Sequence, residues 1–213
     1  MIKISPSIVA APFLKLDKAI NDLETGGADM VHFDVEDGCF VPVMNLGIRI
    51  IYELRPLTKL LFDVHLMMVN PEWIVPVMAD YGVNRLSVHY EACSYPRRIL
   101  KKIAGYGMKA GLAFNPKTSI PDLNFCLPYL SFILLLTTEP EEWTGDYLPS
   151  VLNKMRENKG KYPNVEWAVD GGVNLDNIEE VYSAGADVVI SGRTVFGNGK
   201  VKENIKALKE KCL

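Results

Sequence analysis

A chain of 213 residues, 48% of them hydrophobic, can bury a substantial core as one large domain. Its formal net charge of −3 excludes a general attraction to nucleic acid or to acidic membrane surfaces. There is no run of about 18 apolar residues and no signal-like N-terminus, and the four cysteines (Cys39, Cys93, Cys126, Cys212) lack CxxC spacing, so a cytoplasmic protein with free thiols is expected.

In chain order, the first apolar run suits a strand over 2–9, with Pro6 placed near its end. Helical spacing follows over 13–23 and stops at Gly26-Gly27. A strand over 29–35, a helix over 46–54 and a strand over 60–67 come next. Asn70 as N-cap and Pro71 as first residue open a helix over 71–81, which Gly82 closes before a strand over 84–89. The pattern continues with helix 96–106, strand 109–114, a short helix 120–127 and strand 131–137. It ends with helix 147–158, strand 165–170, helix 177–183, strand 186–191 and helix 201–211. Gly27-Ala28-Asp29 and Gly185-Ala186-Asp187, with a looser copy at Gly82-Val83-Asn84, repeat one helix stop and strand start. Eight apolar strands alternating with eight helical stretches imply a parallel sheet covered on both faces. A (β/α)8 TIM barrel over 1–213, a single domain, is the economical fold; a doubly wound sheet is the alternative.

The chemistry concentrates in Met30-Val31-His32-Phe33-Asp34-Val35-Glu36-Asp37-Gly38. Residues two apart on a strand share a face, so His32, Asp34 and Glu36 point one way. Ionisable groups on an inner face are costly unless paired or metal-bound. A lone His-x-Asp triplet usually marks a hydrogen-bonded core histidine, but Asp63-Val64-His65 and Val169-Asp170-Gly171-Gly172 add an imidazole and a carboxylate on two further strands. A barrel brings His32, Asp34, His65 and Asp170 to one mouth. Two imidazoles and two carboxylates suit a divalent metal ion, Zn2+ foremost, with Fe2+, Mn2+ and Co2+ as alternatives. Such an ion stabilises an enediolate, while Asp34 and Asp170 exchange protons with the two faces of one carbon. His89, beside Glu91, reads as an orienting histidine. Lys109 begins its strand, the wrong end for a Schiff-base lysine.

In these motifs the sequence resembles the ribulose-phosphate 3-epimerase family from Ile4 to Phe196. Ser5-Pro6-Ser7-Ile8, His32-Phe33-Asp34-Val35 with Asp37-Gly38, Phe40-Val41-Pro42, Asp63-Val64-His65-Leu66-Met67, Lys109-Ala110-Gly111, Asn115-Pro116 and Asp170-Gly171-Gly172-Val173 follow in the family's order. The resemblance implies a ribulose-phosphate-binding barrel that inverts C3 of D-ribulose 5-phosphate to give D-xylulose 5-phosphate. It implies His32, Asp34, His65 and Asp170 as metal ligands and Asp34 and Asp170 as the acid–base pair. Ser7, His65 and Met67 would line the substrate site, with phosphate held around Gly171-Gly172 and Gly192-Arg193. A homo-oligomer acting on a sugar phosphate, with no nucleic acid or membrane partner, is the expected assembly.

The sequence departs from that pattern in places that bear on substrate. Glu36 and Leu136 stand where the family usually has Met, so an apolar lid has gained a carboxylate, whose alternative reading is a solvent-facing or cation-paired side chain. Glu139-Pro140-Glu141-Glu142-Trp143-Thr144-Gly145 replaces a glycine-rich phosphate loop, and three carboxylates there would repel a phosphate. Arg193, in place of Ser, can take over anion binding and pair with a lid glutamate in the empty enzyme. Pro12, Cys39 and Val43 replace Asp, His and Asn. These changes keep three other readings open: a 3-epimerase of a related ketose phosphate such as a hexulose 6-phosphate, a synthase or decarboxylase on the same barrel, and a non-catalytic sugar-phosphate-binding descendant.

Overall fold

A computed structural model describes residues 2–140 and 145–213. Eight strands form one parallel sheet: β1 (Lys3–Ser5), β2 (Met30–Glu36), β3 (Leu61–Met67), β4 (Arg85–His89), β5 (Lys109–Phe114), β6 (Phe132–Leu136), β7 (Glu166–Asp170) and β8 (Val188–Ile190). From β2 to β8 each strand pairs with the next in sequence, and β1 pairs with β8. The remaining seam closes between β1 and β2, where His32 N–H donates to Pro6 O at 2.9 Å and Ser7 bridges His32. The fold is therefore the (β/α)8 barrel, and the doubly wound alternative is excluded by β1 joining β8.

The helices are α1 (Leu16–Thr25), α2 (Arg49–Leu54), α3 (Val75–Asp80), α4 (Pro96–Gly105), α5 (Leu152–Asn158), α6 (Ile178–Ser183), α7 (Arg193–Phe196) and α8 (Val201–Glu210). Their buried stripes, such as Leu16, Ala19, Ile20 and Leu23 on α1, pack on the outward strand residues Val31, Phe33, Val64, Trp167 and Val169. No helix is long and apolar enough to cross a membrane among the described residues.

Several boundaries differ from expectation. The first strand ends at Ser5, before Pro6 (which cannot donate to a ladder), and 8–10 form a 3-10 turn. The helix expected over 120–127 is only the 3-10 turn Asn124–Cys126, because Pro121 and Pro128 bracket a segment too short to nucleate a helix. Asn70 makes no side-chain cap; it is left-handed at φ +50°, and Pro71–Trp73 is a 3-10 turn ahead of α3. Pro149 likewise opens a 3-10 turn, so α5 starts at Leu152 and not at Tyr147.

The repeated Gly-x-Asp/Asn segment has a structural task. Its polar side chain reaches back to the start of the preceding strand. Asp29 Oδ2 accepts Ile4 N–H at 2.9 Å, Asn84 Oδ1 accepts Phe62 N–H at 2.8 Å and Asp187 Oδ2 accepts Trp167 N–H at 2.8 Å. Gly27, Gly82 and Gly185, at φ +77°, +73° and +111°, turn the chain into each clamp.

Deep in the barrel, the Phe132 ring fills the space over Gly111, where a Cβ would lie 2.3 Å from the ring. Gly111→Ala is expected to destabilise the protein by about 1–3 kcal/mol in denaturant titrations. Adding Phe132→Leu recovers part of that loss if the ring is the obstacle.

Candidate active site

Strand register assembles the site. Pairing of β2 with β3 sets His32 beside Asp63, Asp34 beside His65 and Glu36 beside Met67, and β7 supplies Asp170 from across the mouth. His32 Nε2 lies 3.1 Å from Asp34 Oδ1 and 3.7 Å from Asp170 Oδ2. His65 Nδ1 lies 3.2 Å from Asp34 Oδ1 and 4.0 Å from Asp170 Oδ2. One donor atom from each of these four residues falls within 4.8 Å of the other three. Strands β2 and β3 run on to Glu36 and Met67, so both imidazoles sit inside their strands and not at the ends.

The outer nitrogen of each imidazole is engaged. His32 Nδ1 meets Asp63 Oδ2 at 3.0 Å, and Asp63 Oδ1 accepts Arg85 Nε–H at 3.1 Å. Arg85 pairs in turn with Glu166, and Glu166 with Lys3 at the base of the barrel. The Arg85 guanidinium also covers the Phe132 ring at 4.0 Å. His65 Nε2 lies 2.8 Å from His89 Nε2, and His89 Nδ1 lies 3.2 Å from Glu91 Oε2. A carboxylate accepts only, so His89 donates from Nδ1 to Glu91 and accepts at Nε2 from His65. His65 Nδ1 is then left with its lone pair toward Asp34 and Asp170. The same logic at Asp63 leaves His32 Nε2 as the inward nitrogen. The outer partners therefore impose the tautomers a metal ion requires.

Electrostatics agree with that assignment at His65 and His89, whereas His32 carries a second proton that a metal ion would displace. Burial works against an ionised Asp34, but His32 and His65 beside it hold the carboxyl well below its usual range. Burial and the Asp34 charge push Asp170 up to about 7. Burial opposes a charged His32, yet Asp34 and Asp63 raise it well above the ordinary value. Burial lowers His65, and burial with His65 nearby lowers His89 to about 4, which keeps His89 neutral. Among the described residues no lysine or arginine pairs with Asp34 or Asp170. A donor set of two imidazoles and two carboxylates, with negative charge otherwise balanced by histidine alone, fits a divalent cation.

Above this centre opens a cavity of about 630 Å3, bordered by Ser7, Asp34, Met67, Asp170, Gly192 and Arg193 among others. Ser7 Oγ–H donates to Asp34 Oδ2 at 2.8 Å, which leaves Oδ1 for the imidazoles. Gly171 and Gly172 border it too, at φ +108° and +69°, and a Cβ on Gly171 would lie 2.6 Å from Thr138 Oγ1. Residues 3–196 match the Ribulose-phosphate 3 epimerase family. The chain belongs to that family. Among its relatives, ribulose-phosphate 3-epimerase of Bacillus subtilis is 39% identical over 98% of this chain and 99% of its own. The chloroplastic ribulose-5-phosphate-3-epimerase of Arabidopsis thaliana is 37% identical over 98% of this chain and 76% of its own. Like these epimerases, the chain is an isomerase. More distant solved barrels share the fold alone: 3-keto-L-gulonate-6-phosphate decarboxylase of Vibrio cholerae superposes with a TM-score of 0.76 at 12% identity, covering 99% of this chain and 97% of that one.

Of the residues the sequence singled out, Ser7, Asp34, Met67, Asp170, Gly171, Gly172, Gly192 and Arg193 border the cavity, His32 and His65 lie against Asp34 and Asp170, and His89 lies against His65. Glu36 is neither solvent-facing nor cation-paired among the described residues; it is half-buried and bonded to Asn45. Glu139 borders the cavity, whereas Glu141, Glu142, Trp143 and Thr144 lie outside the described residues, so the expected pairing of Arg193 with a lid glutamate is seen with none of the described ones. Sequence reasoning missed the partnership of Asp63 with His32 and the whole role of Arg85. A charged residue in Arg85-Leu86-Ser87-Val88-His89, on the same face as Ser87 and His89, was the available signal.

Two outcomes follow from these contacts. Without an ion, His32 carries a proton near neutral pH, so a divalent ion that takes its Nε2 must expel that proton. Metal affinity is expected to rise with pH through 7, with at least about one proton released per ion at pH 6.5, read by calorimetry in buffers of different ionisation enthalpy. Replacing His89 with Leu removes the acceptor for His65 and should weaken metal binding about 10- to 100-fold, whereas His89→Gln, which keeps an acceptor, recovers most of it.

Proposed function

We propose that this isomerase is a metal-dependent 3-epimerase that interconverts D-ribulose 5-phosphate and D-xylulose 5-phosphate through an enediolate. The observation that carries the reading is a pair of carboxylates, Asp34 buried on β2 and Asp170 half-buried on β7, which meet at the wall of one cavity with opposite proton affinities. Inverting a carbon next to a carbonyl requires removing a proton from one face and returning one to the other. A ketose lying between the strands turns one face of C3 to each carboxylate. The ionised group takes the C3 proton, the protonated one delivers to the opposite face, and the roles exchange in the reverse direction. Ser7 holds Asp34 in place.

His32, Asp34, His65 and Asp170 would hold a divalent ion, which supplies positive charge for the oxygens of the enediolate when bound. At the other side of the cavity, the carbonyls of Gly171 and Gly172 are occupied by Thr137 Oγ and by the side-chain amides of Asn174 and Asn177. That arrangement, with Gly192 and Arg193 at the start of α7, supports phosphate binding by backbone N–H groups and a guanidinium. No lysine borders the cavity among the described residues, which disfavours the synthase and decarboxylase readings.

The test is C3 deuterium incorporation from D2O into either pentulose phosphate. Exchange is expected, is lost on chelation, and returns with a divalent ion. Asp34→Asn and Asp170→Asn should each reduce it by about 100- to 10,000-fold; full exchange in both variants overturns the two-face mechanism. Arg193→Ala should raise KM for the phosphorylated substrate about 5- to 10-fold with kcat little changed.

A further inference from the structure

Glu36 is the last of the inward residues of β2, after Met30, His32 and Asp34. Its carboxylate forms part of the cavity wall, together with Val43, Asn45 and Met67. Asn45 grips both of its oxygens: the backbone N–H donates to Oε2 at 2.7 Å and Nδ2–H donates to Oε1 at 3.1 Å. This fixes the plane of the carboxylate. A carboxylate offers about four lone-pair positions, so about two remain beyond those that Asn45 fills. The two Asn45 donors thus hold an acceptor at a place where an apolar side chain would cost less.

We propose that Glu36, fixed by Asn45, is a specificity-determining residue that accepts a hydrogen bond from the hydroxyl at the unphosphorylated end of the substrate. The inference rests on the ketose-phosphate reading above. In that reading C3 lies between Asp34 and Asp170, and the carbonyl and C3 oxygens turn toward the four-residue centre. The phosphate goes to the loops after β7 and β8, and a carboxylate would repel it. The group left for the β2 wall is the C1 hydroxymethyl. Its hydroxyl is a donor matched to the unfilled lone pairs of Glu36. The substrate class is therefore a ketose phosphate whose C1 carries a free hydroxyl, and analogues lacking it cover the carboxylate lone pairs that Asn45 does not fill without giving them a donor.

D-xylulose 5-phosphate and 1-deoxy-D-xylulose 5-phosphate differ only in that hydroxyl. Epimerisation kcat/KM is measured for both compounds with the unaltered holoenzyme and with Glu36→Met and Glu36→Gln, after circular dichroism and metal content show that each variant is intact. The unaltered enzyme is expected to favour the hydroxylated compound about 10- to 100-fold. Glu36→Met should compress that preference to within about threefold, and Glu36→Gln, which keeps one acceptor, should fall between. An unchanged preference in Glu36→Met overturns the inference. Should neither compound be turned over, the epimerase reading itself fails; the ratio of calorimetric dissociation constants for the same two compounds then decides the role of Glu36 by the same criterion.

Discussion

Negative charge gathered at the mouth of the barrel has to be balanced, and most of the site is arranged around that constraint. Asp34 is buried and Asp170 half-buried, each in the other's field, and the groups that offset them are imidazoles rather than fixed cations. Each imidazole is in turn oriented from outside, His32 by Asp63 and His65 by His89 and Glu91. Remove the outer partners and the inner nitrogens lose their defined tautomer. The inner carboxylates would then face a ring that can present either a lone pair or a proton. A pocket with so much charge left to balance is poised for a cation and for a reaction that moves protons.

Much of this was legible in the chain itself. Alternation of apolar strands with amphipathic helices survives in a single sequence because β2 to β8 are buried on both faces, and strand parity placed His32, Asp34 and Glu36 on one side. Legibility failed where the determinant was non-local. Nothing near Asp63 announces that Arg85, a strand away, will share it, and nothing around Asn45 shows that a loop residue will return to Glu36. It failed again where proline overrode periodicity, as at Pro121, Pro128 and Pro149. The pattern over 120–127 has helical spacing, but the backbone cannot sustain it.

Fold and chemistry separate cleanly in this barrel. Phosphoribosyl anthranilate isomerase of Thermus thermophilus overlays it with a TM-score of 0.70 at 14% identity, and the decarboxylase does so at 12%. Such similarity says only that eight β/α units close in the same way. What distinguishes this member lies on the inner positions of β2, β3, β4 and β7. The clamps at Asp29, Asn84 and Asp187 belong to the other category, holding strand starts at the end of the barrel away from the site.

The ladder Lys3, Glu166, Arg85, Asp63 and His32 alternates in sign from the solvent at one end to the reactive mouth at the other. A column of this kind conducts electrostatic influence through an interior that is otherwise oil-like. Distance from the mouth is therefore poor insulation: neutralising Lys3 on the underside would leave Glu166 to lean harder on Arg85, slacken its hold on Asp63, and alter the basicity of an imidazole most of a barrel length away.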